Sequence, residues 1–319
     1  MSKKIEDKYK CKLLPYERYE CLSIQDASQK SGWGITAFNL PKAWQYTQGE
    51  GVKIAVLDTG CDLDHPDLKD NLIQGFNFVK PNSPPDDDNC HGTHVTGILV
   101  AANNDIGMVG VCPKAKVMPI KVLNSKGGGN LLDVAKGIIW ATDNGADIIT
   151  MSLGSPMKVQ QVRKSIQYAE SKGIPTFVAA GNAGNTKEIF YPANYPEAIA
   201  IGAIDQNFNR ASFSNTGNEL DFMAPGVDIF STVPDNWYAT LSGTSMACPF
   251  AVGVAALVLS YVRHGKAKIK LDTPEDYKSV FKKYTTKTSK NYDDPVFYEG
   301  FGIIDPRKMM EDFGSESQS

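Results

Sequence analysis

The chain has 319 residues, enough for one large α/β domain or two modest ones around a substantial core. Its 33 basic and 36 acidic residues give a net charge of −3 with no long run of either sign, which leaves no electrostatic footprint for nucleic acid or a membrane surface. A hydrophobic content of 42% is ordinary for a globular chain.

Residues 1–28 read as a polar, irregular extension broken by the apolar patch Leu13-Leu14-Pro15-Tyr16. The first twenty residues are charged and carry no apolar h-region, so no secretory signal is expected there. No segment approaches the ~18 uninterrupted apolar residues of a membrane-spanning helix. From Val52 onward short β-rich runs alternate with helical patterns. VKIAVLD (52–58) reads as a strand ending on an aspartate, and 91–102 as a helix. KVMPIKVL (116–123) is a strand; LLDVAKGIIWATDNG (131–145) is a helix closed by glycine. ADIITMSL (146–153) reads as one buried strand, 159–173 as an amphipathic helix, and IPTFVAAG (174–181) and AIAIGAI (198–204) as further strands. This alternation predicts an α/β fold, a doubly wound, mainly parallel sheet with helices on both faces. On such a sheet, Asp58, Ser152 and Asn182, at or just past strand ends, converge on the rim where ligands bind. The domain is expected to span 29–312, with 313–319 a solvated, disordered tail.

Three segments carry the chemistry: AVLDTGCD with Asp58, NCHGTHVTG with His91, and SGTSMACP with Ser245. A carboxylate, an imidazole and a hydroxyl, each beside glycine or small residues, are what nucleophilic amide hydrolysis near neutral pH needs. Of the four histidines, His264 reads as surface and His65, in DLDHPDL, as solvent-facing or turn-capping. His94 packs inward as a satisfied core residue, which leaves His91 as the base. Ser245 starts an apolar helix whose end gives a positive local potential, and Pro249 is tolerable only near such a beginning. The plainer reading of Ser245 or Thr244 is a helix cap. Asn182, in AAGNAG, offers a side-chain amide which, with the Ser245 N–H, makes an oxyanion hole; its plainer reading is a turn asparagine. The six cysteines form no CxxC pair, and reduced thiols in a cytoplasmic setting are the expectation.

Together these segments resemble the subtilisin-like serine proteases, from about Gln29 to the C-terminal region. The order Asp, His, Ser and the spacings of 33 and 154 residues are close to those of subtilisin. Within the family, LDTGCDLDHPDLKDNLIQGFNF and a leader carrying LLPY are most similar to the intracellular subtilisins of Bacillus and relatives. The resemblance implies a serine endopeptidase acting on polypeptides and made as a zymogen. Leu13 to Tyr16 would lie across the active site, with Pro15 bending the peptide out of a productive pose. Gly127, Gly128 and Gly129 would form one edge of the substrate cleft, and Ser152, Leu153 and Gly154 the other. Ala179, Ala180 and Gly181 would line a pocket for a large apolar side chain, and Thr244 would complete the substrate site.

The resemblance also implies Ca²⁺, held by Gln29, Asp67 and Asn104 with the carbonyls of Ala102, Ile106 and Met108, an all-oxygen set suited to a hard cation. A weaker cation site would use Asp205 with the carbonyls of Ala193, Tyr195 and Ala198. Phe250 departs from the family's histidine after the nucleophile, a change that bears on packing. Cys90 and Cys248 beside the catalytic segments are either oxidation-sensitive or small buried fillers. Two rivals stay open at this level. One is a catalytically silent binding protein of the same fold; the other is a metal hydrolase using Asp58, His91 and His94, though HExxH is absent. Relatives of this kind are often homodimers, and no residue decides that point.

Overall fold

The computed structural model describes residues 10–23, 28–184, 188–265 and 269–316. In chain order its strands and main helices begin with β1 (Lys10–Leu13), β2 (Glu17–Ser23), β3 (Lys53–Asp58), β4 (Phe76–Asn77) and α1 (His91–Val100). They continue with β5 (Lys116–Lys121), β6 (Gly128–Asn130), α2 (Leu131–Asp143), β7 (Ile148–Met151), β8 (Leu153–Gly154), α3 (Gln160–Ser171) and β9 (Thr176–Ala179). The chain closes with β10 (Ala198–Ile204), β11 (Phe222–Pro225), β12 (Ile229–Val233), β13 (Trp237–Ser242), α4 (Thr244–Arg263), α5 (Pro274–Lys283), β14 (Thr285–Thr286), β15 (Ile303–Ile304) and α6 (Pro306–Glu316).

The predicted sheet is present, with nine strands in the order β14-β15-β11-β10-β9-β7-β3-β5-β4. All neighbours are parallel except β14–β15. Strands buried on both faces must be apolar throughout, and AIAIGAI of β10 is buried at every residue. α1 and α4 pack together on the sheet as one helical layer; α2 and α3, with α5, form the other. α2 begins where Asn130 Oδ1 accepts from Leu132 N at 2.9 Å and ends at Gly145, whose φ of +78° suits a residue without Cβ. α4 is long and apolar enough to cross a membrane by composition, but nearly all of it is buried among the strands, so it is the central core helix.

Three expectations change. The extension is not irregular. β1 pairs antiparallel between β6 and β8, with Cys11 opposite Gly129 and Leu13 opposite Leu153. β2 pairs antiparallel with β13, from Glu17 opposite Ser242 to Ser23 opposite Trp237. Neither strand shows in local composition because each takes its partner from the folded domain; residues 1–9 and 24–27 of the expected extension lie outside the described ones. The strand read as 146–153 leaves the central sheet after Met151, and Leu153–Gly154 turns out to meet β1 instead. At the C-terminus α6 runs to Glu316, so helix occupies the start of the expected tail, while 317–319 lie outside the described residues.

Candidate active site

The chain reaches β3 first, then β4 and β5 on one side and β7, β9 and β10 on the other, so the topology reverses beside β3. Asp58 closes β3, Ser152 follows β7 and Asn182 follows β9, which brings all three to the carboxyl-end rim. Asp58 Oδ1 lies 2.8 Å from His91 Nδ1 and also accepts from Thr59 N at 2.7 Å. Both side chains are fully buried, and among the described residues His91 Nε2 and Asp58 Oδ2 have no hydrogen-bond partner. His91 is therefore held by one nitrogen while the other is available.

Ser245 is the second residue of α4, after Gly243 and Thr244. Pro249, four residues on, has no N–H to give the Ser245 carbonyl. Ser152 Oγ supplies the missing donor at 3.0 Å, and Ser245 Oγ donates back to the Ser152 carbonyl at 3.3 Å. The hydroxyl is thus parked on a neighbouring carbonyl. Catalytic hydrogen bonds in an enzyme without substrate are often unmade until substrate arrives. Asn182 Oδ1 accepts from Thr244 N at 2.9 Å and Thr244 Oγ1 at 2.7 Å, which aims Nδ2 across the cleft. Thr244, expected to touch substrate, is fully buried beneath the seated segment and is bonded to Asn182.

Residues 10–16 thread this cleft. Leu13 N donates to the Gly127 carbonyl at 2.8 Å, and β1 pairs along Gly128, Gly129, Leu153 and Gly154, the two edges expected to hold peptide. Leu14 is buried against Gly154, where any Cβ would strike its methyl group. Asn182 Nδ2 donates to the Pro15 carbonyl at 2.5 Å. The Tyr16 ring lies 5.2 Å from the His91 ring. A cleft of about 920 Å³ remains around the segment, its walls including Phe78, Met157 and Phe190. Phe190 was missed from the sequence; it stands against both Gly154 and Gly181, and its N–H bonds the Ala180 carbonyl at 3.2 Å. Ala179, Ala180 and Gly181 are buried with residues 10–16 in place.

His94 is buried, with Nε2 3.1 Å from the Ile229 carbonyl and 3.0 Å from that of Ala239, so it is spent on structure. His264 is exposed. His65 is not solvent-facing: it is fully buried, edge-on to Tyr238, and its Nδ1 accepts from Asp67 N at 3.2 Å, so only the turn-capping half of its reading holds. Cys248 is buried on Thr150, and burial pushes its thiol up to about 12, which fits a filler. Cys90 is buried as well, and Phe250 packs on Phe38 with ring centroids 5.6 Å apart.

Part of the first cation set comes together. Gln29 Nε2 lies 2.9 Å from the Ala102 carbonyl and 3.5 Å from both Asn104 Oδ1 and the Met108 carbonyl, so three oxygens converge on one point. Asn104 Nδ2 reaches Asp67 Oδ1 at 2.8 Å, while Asp67 Oδ2 accepts from Met108 N and Tyr238 Oη. Ile106 N bonds Asn104 Oδ1 at 3.2 Å. Turning the Gln29 amide over would add its own oxygen to the group. Gly107, with φ +54°, is required here because a side chain would collide with Tyr238 and Asp67. These residues fit a hard cation.

The second set does not assemble. Ala198 opens β10 and Asp205 follows its end, so the two stand about 23 Å apart at about 3.3 Å per residue. Asp205 Oδ1 instead closes its own turn, accepting from Asn207 N and Asn209 N, both at 2.9 Å. The carboxylate nearer Ala198 is Asp221, which accepts from Ala200 N at 2.9 Å. Its counter-charge is Lys278 of α5, Nζ 3.0 Å from Asp221 Oδ1 and 3.4 Å from the Pro196 carbonyl. An ammonium tethered to α5 thus sits beside the loop expected to hold a free ion. Among the described residues, no cluster of three His, Cys, Asp or Glu side chains is placed to hold a metal.

Comparison with known proteins gives the same picture. The sequence model of the Subtilase family matches residues 49–302. An intracellular serine protease of Paenibacillus polymyxa is 43% identical over 273 residues, 83% of each chain. Thermitase of Thermoactinomyces vulgaris is 44% identical over 232 residues, 72% of this chain and 83% of its own. Subtilisin DY of Bacillus licheniformis is 42% identical over 281 residues, 87% of this chain and 97% of its own.

Proposed function

Because the chain belongs to the subtilase family and is a serine endopeptidase, we propose that it cuts peptide bonds with Ser245, His91 and Asp58 and is made as a zymogen blocked by its own leader. Asp58 fixes the His91 tautomer, so that Nε2 accepts the Ser245 proton as Oγ attacks the scissile carbonyl. Asn182 Nδ2 and the Ser245 N–H, at the positive end of α4, take the oxyanion. His91 then protonates the leaving amine, and water repeats the cycle on the acyl-enzyme.

The observation that carries this reading is the seating of residues 10–16. The segment is paired as a peptide in the cleft, with a carbonyl on Asn182. Its frame is shifted by one: Leu14 fills the space beside Gly154, but the carbonyl on Asn182 belongs to Pro15. A productive peptide presents the carbonyl of the same residue that fills the pocket. The shift supports the leader as inhibitor rather than substrate, and the silent-binding alternative has no matching observation. A fluorophosphonate probe should label Ser245 only after the amino-terminal segment is lost, read by mass spectrometry of the labelled peptide. Labelling of the full-length chain at the same rate would reject the zymogen part.

We place the enzyme in the cytoplasm, which is supported by the intracellular relative of Paenibacillus polymyxa. Calcium is proposed at Gln29, Asp67, Asn104 and the neighbouring carbonyls, where it would supply charge to fix the 102–108 loop. At a hundredfold its Kd, such an ion stabilises by about 2.7 kcal/mol. EGTA should therefore lower the melting temperature of the full chain carrying Ser245→Ala, and Asp67→Asn should remove the difference. An unchanged melting curve with EGTA counts against the site.

A further inference from the structure

We infer that Asp87 is a positioning residue that locks Asp58 and His91 into register, an inference that rests on the Ser245, His91 and Asp58 reading. Asp87 is buried, and its hydrogen bonds go to neither member of the pair. Its two oxygens accept five hydrogen bonds. Oδ1 takes Thr59 Oγ1 at 2.8 Å, Asn89 N at 2.9 Å and Cys90 N at 3.2 Å; Oδ2 takes Thr93 N at 2.9 Å and Thr93 Oγ1 at 2.6 Å. These donors come from the two segments that matter, the residue after Asp58 and the first turn of α1, which His91 opens. Thr59 closes the loop: its N–H bonds Asp58 Oδ1, and its hydroxyl oxygen accepts from Gly92 N at 2.9 Å.

The helix needs this outside support. Its cap residue, Cys90, makes no side-chain cap bond and sits at φ 139°, a conformation that a residue with a Cβ rarely adopts. Asp87 holds the N–H of that strained residue, and a carboxylate beside a helix N-terminus is favoured by its positive end. The packing is tight besides, since a side chain at Gly92 would collide with the Gly60 carbonyl. Without Asp87, Cys90 is free to relax, and the His91 ring moves with it.

The test is kinetic and spectroscopic. Asp87→Asn keeps the shape but turns one acceptor into a donor facing other donors. It should lower kcat about 10²-fold, the cost of misplacing a catalytic group by about 1 Å, with KM within about twofold. Thr59→Val should lower kcat in the same sense, and Thr59→Ser, which keeps the hydroxyl, should restore it. The far-downfield proton of the His91–Asp58 bond should broaden in Thr59→Val and stay sharp in Thr59→Ser, measured by NMR on full chains carrying Ser245→Ala. If Asp87→Asn fails to fold, the Thr59 pair decides alone. Wild-type kcat in Asp87→Asn, or equal behaviour of the two Thr59 variants, overturns the inference. Activity remaining in Ser245→Ala would instead defeat the reading beneath it.

Discussion

Ser245→Ala is expected to lose about 10⁶ in kcat, the size established for this hydroxyl in subtilisin itself, and to keep its full length indefinitely. The two results belong together because the leader lies in the same cleft that would remove it. Wild type should shorten at its amino end during purification, and the variant should not, as intact mass reads directly. A second readout follows leader seating. Cys11 is buried opposite Gly129, and burial pushes its thiol up to about 12, so it holds its proton throughout neutral pH. Iodoacetamide at pH 8 should spare Cys11 in the variant and modify it after denaturation. A Ser245→Ala chain that still cleaves peptides, or trims itself, would remove Ser245 from the mechanism.

Asn182→Leu is expected to lower kcat about 10²–10³-fold with little change in KM, again the magnitude known for one such donor in subtilisin. The substitution has an opposing second effect here. Asn182 Nδ2 also holds the Pro15 carbonyl, so the leader of the variant is seated more loosely while the chemistry is slower. Cys11 of the uncut variant should therefore be alkylated by iodoacetamide faster than in Ser245→Ala even as peptide turnover collapses. Part of the effect passes through Thr244, whose N–H and hydroxyl both lose their acceptor. Turnover within about threefold of wild type would show that Asn182 is a turn residue and no more.

The central sheet and the rim of chemical groups were legible because buried parallel strands are largely apolar. Asp58, Ser152 and Asn182 stand at or just past the ends of such runs. His91 was legible by elimination among four histidines, and His94 as a core residue. What escaped depends on partners distant in the chain. CKLLPYERYE carries only short apolar patches interrupted by charges, and its strands exist only because β6, β8 and β13 present open edges. His65 looks like a surface turn until Tyr238 covers it. Asp205 and Asp221 are equally plausible companions for the 193–198 loop by composition; only the length of β10 separates them. Asp87 lies in DDDN, where nothing local distinguishes it from two carboxylates that face elsewhere.

The leader is gripped on both flanks of the cleft, by β6 and β8 before the bend and by β13 after it. On the zymogen reading proposed above, the leader of a continuous chain would face its site at the effective concentration of a short tether, on the order of millimolar. One cut near the bend would turn its amino-terminal half into a free solute, diluted into the surrounding solution. Rebinding would then be a second-order event. Dilution alone would make such a switch a ratchet, with no further change of shape required.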